Sequence, residues 1–104
     1  MKRELFFEIK SKLKVIIRTT VSHWRLITDY KHPEIKGQEK AVIKTLENPA
    51  EIRLSRKDKK VYLYYRRQKK YFFCVVAKHL NGEGFVITAY LSKNIKEGVL
   101  LWKK

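Results

Sequence analysis

The sequence predicts an α+β fold in which two N-terminal helices pack on an antiparallel sheet of four or more strands. Before residue 50, apolar residues recur at helical spacing in two short segments. After residue 50, apolar and polar residues alternate, and charged or glycine-containing turns interrupt the alternation at regular intervals. With 104 residues we expect one domain, 1–104, whose residues 1–12 form an N-terminal strand or edge segment.

The first half of the chain contains two apolar clusters and the two predicted helices. Residues 5–9 and 13–17 are rich in Phe, Val and Ile, so we interpret the first as a strand or edge segment and the second as a strand. Threonine and serine side chains then offer caps for a helix over residues 21–30, which Pro33 ends. A second helix is expected over residues 38–47.

The second half predicts a meander of hairpins. Residues 71–78 are apolar on both faces, which is typical of a central strand covered on both sides. Asn81–Gly82 is a strong hairpin signal, but Glu83 and Gly84 after it predict a loop longer than two residues. We expect strands at residues 52–55, 61–65, 71–78 and 85–91, and a short edge strand in the tail 93–104.

Charge indicates the kind of partner. The chain has 25 Lys and Arg against 10 Asp and Glu, a net charge of +15. Such an excess favours a polyanion, first RNA or another nucleic acid and second an anionic membrane, although a lysine-rich composition alone is a simpler explanation. The single Cys74 permits no intrachain disulfide and is typical of a buried thiol in a cytoplasmic protein. Residues 71–77 form the longest apolar run, which is too short for a membrane span. The pattern also predicts no strongly amphipathic basic helix, so we expect no membrane partner.

Five polar side chains form the predicted core of a site. His32 lies in the turn between the two helices, which we expect to fold back on the sheet. Arg53 and Ser55 share one face of the first meander strand, where a guanidinium and a hydroxyl suit a phosphate. Thr88 and Tyr90 share a face of a later strand and add hydroxyl donors. A solvated turn histidine and ordinary wet strand faces are the simpler alternatives.

Further candidates for substrate binding are basic or aromatic. Tyr65 and Arg66 belong to an interleaved aromatic and basic run of the kind that suits single-stranded RNA, although tyrosine is also a good strand former. The remaining candidates are Lys31, His23 and Lys96, each with a structural or solvated role as its alternative.

The residue pattern predicts no metal site and no cofactor. Three scattered histidines and one cysteine give no ligand spacing, and no glycine-rich phosphate loop is present. A nuclease would then use the RNA 2′-hydroxyl as its nucleophile. His32 would be the base, Arg53 would stabilise charge, and Tyr90 or His23 would protonate the leaving oxygen. The same surface equally suits a non-catalytic RNA-binding module.

The blocks KHPEIKG, ENPAEIRLS, VYLYYRR, NGEGFVITAY and IKEG, followed by Trp102, resemble a phage-associated family of Barnase–EndoU–colicin–RelE-like nucleases. The resemblance runs from about residue 13 to Trp102. It implies a RelE- or barnase-like architecture and metal-independent RNA cleavage, with His32, Arg53, Ser55, Thr88 and Tyr90 as site residues. It also implies toxin-like or phage contexts, in which a protein inhibitor or antitoxin would be a partner. The oligomeric state does not follow from it.

Overall fold

A seven-stranded mixed sheet and two helices form an α+β fold in the computed structural model, which describes residues 4–95 and 97–104. From one edge to the other the strands are β1 (Leu5–Lys10), β2 (Ile16–Thr20), β6 (Glu83–Ser92), β5 (Tyr71–Leu80), β4 (Val61–Gln68), β3 (Glu51–Leu54) and β7 (Val99–Lys103). The α+β class is confirmed. Two strands precede the helices, however, and β2 pairs with β6 in parallel, so the sheet is mixed.

The strand predicted at residues 13–17 is displaced. A tight turn occupies residues 11–15, where the Ser11 amide donates to the Val15 carbonyl at 2.8 Å and Lys14 is left-handed at φ 68°. This turn joins β1 to β2 as a hairpin, so β2 begins only at Ile16. A lysine in the left-handed region is uncommon, which is why sequence pattern alone missed the turn.

Both predicted helices are present. Helix α1 spans Val21–Leu26 and continues as a π-helical turn over Ile27–Lys31, which together match the expected residues 21–30. The Thr20 hydroxyl caps α1 by accepting from the His23 amide at 3.2 Å. A 3-10 turn at Pro33–Ile35 then leads to helix α2 at Glu39–Glu47.

The helices cover one face of the sheet and leave the other face more open. Side chains such as Trp24, Ile27 and Leu46 pack on Ile52 and Phe73 of the sheet in the main core. The opposite face carries a smaller buried cluster of Leu63, Tyr65 and Cys74, with Phe72, Val76 and Tyr90 packed against it. Strand β5 lies in the middle of the sheet and contributes to both clusters, as its apolar sequence predicted.

The strands β4, β5 and β6 are longer than predicted, because their turns are short. Strand β4 continues through Arg66–Gln68, beyond residue 65 where the predicted strand ends. The hairpin between β5 and β6 uses only Asn81 and Gly82, both with positive φ, so the expected longer loop is wrong. Over the described ranges, every helix is too short or too polar to cross a bilayer.

Candidate functional site

A cleft of about 680 Å³ opens on the sheet face opposite the helices. His32, Ser55, Thr88 and Tyr90, which come from three separate parts of the sequence, all line it. The structure therefore brings together four of the five side chains that the sequence singled out as the core of a site. Arg56, Lys57, Glu97 and Gly98 also line the cleft, and sequence reasoning did not select them.

A row of side chains runs across four adjacent strands on this face, and its members Leu63, Val76 and Thr88 line the cleft. Arg53 pairs with Leu63, Leu63 with Val76, and Val76 with Thr88. Directly paired residues of antiparallel strands point to the same face, so Arg53 and Thr88 stand at the two ends of this row. Three strand spacings separate their backbones by roughly 14 Å.

His32 enters the cleft from the connection between the two helices. It follows the π-helical turn and precedes Pro33, and its backbone has φ −141° and ψ 75°. Its Nδ1 lies 3.2 Å from Glu34 Oε2, so the Nδ1 proton is donated to a carboxylate that can only accept. Nε2 is then the ring nitrogen left for proton exchange, and the side chain is 33% exposed.

Thr88 presents a buried hydroxyl that lacks a partner. Its Oγ1 is inaccessible to water and makes no hydrogen bond to any described residue. A buried hydroxyl without a partner costs free energy, so such groups are rare and call for an explanation. Thr88 lines the cleft, so rotation of its side chain toward the cleft would let a ligand oxygen provide the missing hydrogen bond.

Tyr90 stands beside His32, with 5.5 Å between the two ring centres. Burial raises the pKa of Tyr90 far above the ordinary tyrosine value, and nearby Cys74 and Tyr65 add to the rise. Burial raises the pKa of Cys74 to about 12 in the same cluster. At neutral pH the Tyr90 hydroxyl therefore stays protonated and can donate a hydrogen bond. The same raised pKa makes Tyr90 a poor general acid.

Arg53 faces the same side of the sheet but does not line the cleft. Its Nε donates to Glu51 Oε2 at 2.8 Å, and its Nη1 donates to the Gly98 carbonyl at 3.2 Å. The Arg53 side chain is only 21% exposed. The guanidinium therefore fixes the segment that carries Glu97 and Gly98 and is not free to hold a phosphate.

The cations of the cleft come from the loop after β3. The Ser55 hydroxyl accepts a hydrogen bond from the Lys57 amide at 3.2 Å, which folds the loop into a tight turn. This turn leaves Arg56 and Lys57 exposed at the cleft. Their side chains carry the positive charge that the sequence analysis assigned to Arg53.

The remaining predicted residues lie outside this cleft. His23 Nε2 lies 2.9 Å from the Ile87 carbonyl, and the ring lines a separate cleft with Arg18 and Phe85. Arg66 points to the helix side, where its Nε donates to Thr45 Oγ1 at 3.3 Å. Lys31 is exposed beside His32 without lining the cleft.

Tyr65 and Lys96 were also predicted to bind substrate. The Tyr65 side chain is 1% exposed, so it offers no face on which a base could stack. It borders a smaller cleft shared with Tyr90 and Glu97. Lys96 lies outside the described residues.

Three of the residues that sequence reasoning missed had detectable signals. Arg56 and Lys57 follow Ser55 directly, and Glu34 comes two residues after His32. Both spacings are short enough for local hydrogen bonds, but only the fold shows that the basic loop and the histidine turn face one cleft. Glu97 carried no signal, because a lone acid in a tail is usually solvated.

Within residues 4–95 and 97–104, no group of three His, Cys, Asp or Glu side chains is arranged to hold a metal ion. No family model, curated protein or solved structure matches the chain.

Proposed function

We propose that the protein is a metal-independent ribonuclease of the Barnase–EndoU–colicin–RelE-like type, which cuts RNA through attack of its 2′-hydroxyl on the adjacent phosphate. The observation that carries this proposal is the shared cleft. One imidazole oriented by a carboxylate, one buried hydroxyl without a partner and two exposed cations line it together.

The chemistry needs few groups because RNA supplies its own nucleophile. His32 Nε2 takes the proton of the 2′-hydroxyl, while the 2′-oxygen forms a bond to phosphorus and the bond to the 5′-oxygen breaks. Water in the open cleft protonates the leaving 5′-oxygen. Arg56 and Lys57 offset the charge on the phosphate, and the hydroxyls of Thr88 and Tyr90 donate to its oxygens.

A non-catalytic RNA-binding module is the second candidate, and a specific observation favours it. Arg53 is engaged by Glu51 and the Gly98 carbonyl, so its guanidinium is not available to stabilise charge on a phosphate as the sequence analysis expected of the enzyme. Exposed Arg56 and Lys57 are sufficient for binding a polyanion, which needs only positive charge near the backbone.

The test is cleavage of labelled single-stranded RNA in EDTA by wild-type protein, His32→Ala and Lys36→Ala. We expect His32→Ala to lose at least about a hundredfold in rate, because general-base catalysis contributes about that much. Lys36 is an exposed residue of the same turn region, with its side chain 74% exposed, so Lys36→Ala should cleave like wild type.

Two outcomes would reject the enzyme. Equal cleavage by wild type and His32→Ala would remove His32 from the mechanism and point to a contaminating nuclease. RNA binding by wild type without cleavage would favour the binding module. A DNA strand of the same sequence should bind but remain intact, because it lacks the 2′-hydroxyl.

A further inference from the structure

We propose that a second cleft, formed by Tyr62 and His79 on the helix side of the sheet, takes a base of the same RNA strand that occupies the first cleft. The inference rests on the proposal that RNA is the ligand, and it extends the substrate to a single strand that crosses the end of the sheet.

The second cleft has the composition of a base-binding subsite. It measures about 410 Å³, and Lys59 and Lys60 lie beside Tyr62 and His79 in its wall. The rings of Tyr62 and His79 are stacked, with 3.8 Å between centres and 13° between planes. Both side chains are only partly buried and line the cleft, so part of the aromatic pair is accessible to a ligand.

A buried hydrogen-bond chain holds this imidazole in one orientation. The Tyr64 hydroxyl donates to Ser11 Oγ at 3.0 Å, and its oxygen lies 2.9 Å from His79 Nε2. Since the Tyr64 proton goes to Ser11, His79 Nε2–H is the donor to Tyr64, and Nδ1 remains an acceptor. Burial lowers the pKa of His79 to about 4, so the ring is neutral at pH 7 and Nδ1 can accept from an N–H at a base edge.

One loop joins the two clefts. Residues 55–57 line the first cleft and residues 59–60 line the second, so four basic side chains follow one another around the end of the sheet. Asp58 lies between these basic residues, and both of its carboxylate oxygens already have partners. Its Oδ1 accepts from the Lys60 amide at 2.9 Å, and its Oδ2 lies 3.6 Å from Lys78 Nζ.

Charge along this path suits a phosphate backbone. Glu83 is the acid of the second cleft, and it forms an ion pair with Arg18, which offsets its charge. Even if fully extended, loop residues 55–60 would span at most about 20 Å. A short single strand of RNA covers that distance with several phosphates. Bases at both ends of that strand would then reach a cleft while its phosphates follow the loop.

The experiment compares binding of two probes that cannot be cut, a ~10-nucleotide 2′-O-methyl RNA and a 2′-O-methyl dinucleotide, by fluorescence anisotropy across a salt series. The variants are Lys59→Gln/Lys60→Gln and Tyr62→Leu. Lys69→Gln/Lys70→Gln is the matched control, because it makes the same charge change in the exposed β4–β5 turn.

We expect Lys59→Gln/Lys60→Gln to weaken binding of the longer probe and to reduce its salt slope by about 1.4, which is about 0.7 for each phosphate of a single strand that a lysine no longer neutralises. Tyr62→Leu should weaken binding of the longer probe by about tenfold, because a base can no longer stack on the tyrosine ring. Binding of the dinucleotide and the affinity of the control should stay close to wild type. Far-UV circular dichroism and melting temperature verify folding, and the exposed lysines keep the test informative if Tyr62→Leu unfolds.

If Lys59→Gln/Lys60→Gln and Lys69→Gln/Lys70→Gln weaken binding of the longer probe equally, the proposal of a second cleft is overturned. Such a result would show that binding depends only on the total positive charge of the protein. Failure of this inference is distinguishable from failure of the proposed function. Normal cleavage with an unchanged KM for a long RNA in the Lys59/Lys60 and Tyr62 variants rejects the second cleft alone. If RNA binding weakens when either cleft is altered but no RNA is cleaved, the second cleft is supported and the nuclease is rejected.

Discussion

His32 and Tyr90 lie side by side, with 5.5 Å between their ring centres, although one belongs to the helix connection and the other to strand β6. They meet because β2 pairs only with the first residues of β6, from Glu83 to Phe85. The later part of β6 is left next to the helix connection, which brings His32 onto the open face of the sheet. The proposed site therefore lies where parallel pairing stops.

Glu34 should act as the positioning residue for His32. Glu34→Ala removes the carboxylate that accepts from Nδ1 at 3.2 Å, so the imidazole loses its fixed orientation. We expect kcat for RNA cleavage to fall by about tenfold with KM nearly unchanged, because only proton transfer is affected. Glu34→Gln keeps an oxygen acceptor for Nδ1–H and should recover most of the rate. A change in KM and kcat together would instead indicate direct contact with RNA.

Thr88 should show opposite effects on stability and activity. Its buried Oγ1 lacks a partner in the free protein, so Thr88→Val should raise the free energy of unfolding by ~1 kcal/mol. The same change removes a donor to the phosphate and should slow cleavage by about tenfold to a hundredfold. Urea unfolding and single-turnover cleavage measure the two effects.

Thr19 provides the matched control for this prediction. Its Oγ1 is the other buried hydroxyl without a partner in the described part of the chain, and it lines a different cleft. Thr19→Val should stabilise the protein to a similar extent and leave cleavage unchanged. If both variants lose activity equally, Thr88 has no special role at the phosphate.

The sequence predicted the helices and the meander because their local signals agree. Trp24 and Ile27 mark the buried side of the first helix, and both are core residues. The alternating pattern after residue 50 predicted that Thr88 and Tyr90 share a face of their strand, and both line the cleft. The tail strand was also expected, but not that it would pair with β3 at the edge of the sheet.

Long-range pairing and individual side-chain contacts were beyond the sequence. Parallel pairing of β2 with β6 joins segments far apart in the chain, and no local pattern encodes it. The prediction that Arg53 holds a phosphate likewise depended on a side-chain contact that no local pattern encodes. Its guanidinium has two candidate partners, a phosphate or Glu51, and only the folded geometry shows that Glu51 is within 2.8 Å.

Gly98 should be essential for the wall of the cleft. Its φ is +86°, and a Cβ there would stand 2.8 Å from the Leu54 carbonyl oxygen and 3.0 Å from Arg53 Cβ. We expect Gly98→Ala to lower the free energy of unfolding by roughly 3 kcal/mol, since strain and collision add. Gly37 has a similar φ of +81° but open space around it, so Gly37→Ala should cost only about 1 kcal/mol. Equal losses in urea unfolding would mean that crowding at Gly98 is relieved by movement of the loop.

His79 should make stability depend on pH between about 4 and 6.5. Burial lowers the pKa of His79 from 6.5 to about 4 in the folded protein. Within this window the unfolded chain binds a proton that the folded protein does not, so the free energy of unfolding should fall as pH falls and level off below about 4.

The effect of His79 on the free energy of unfolding should be moderate. The His79 contribution should reach ~1–2 kcal/mol, less than the full linkage value because the ring keeps some contact with water. Carboxylates titrate in the same range, so urea unfolding of wild type must be compared with His79→Gln, whose amide can still donate to the Tyr64 oxygen. The difference in stability between the two proteins should change across this window and be constant above it. A constant difference at all pH values would mean that His79 protonates as readily in the folded protein as in the unfolded chain.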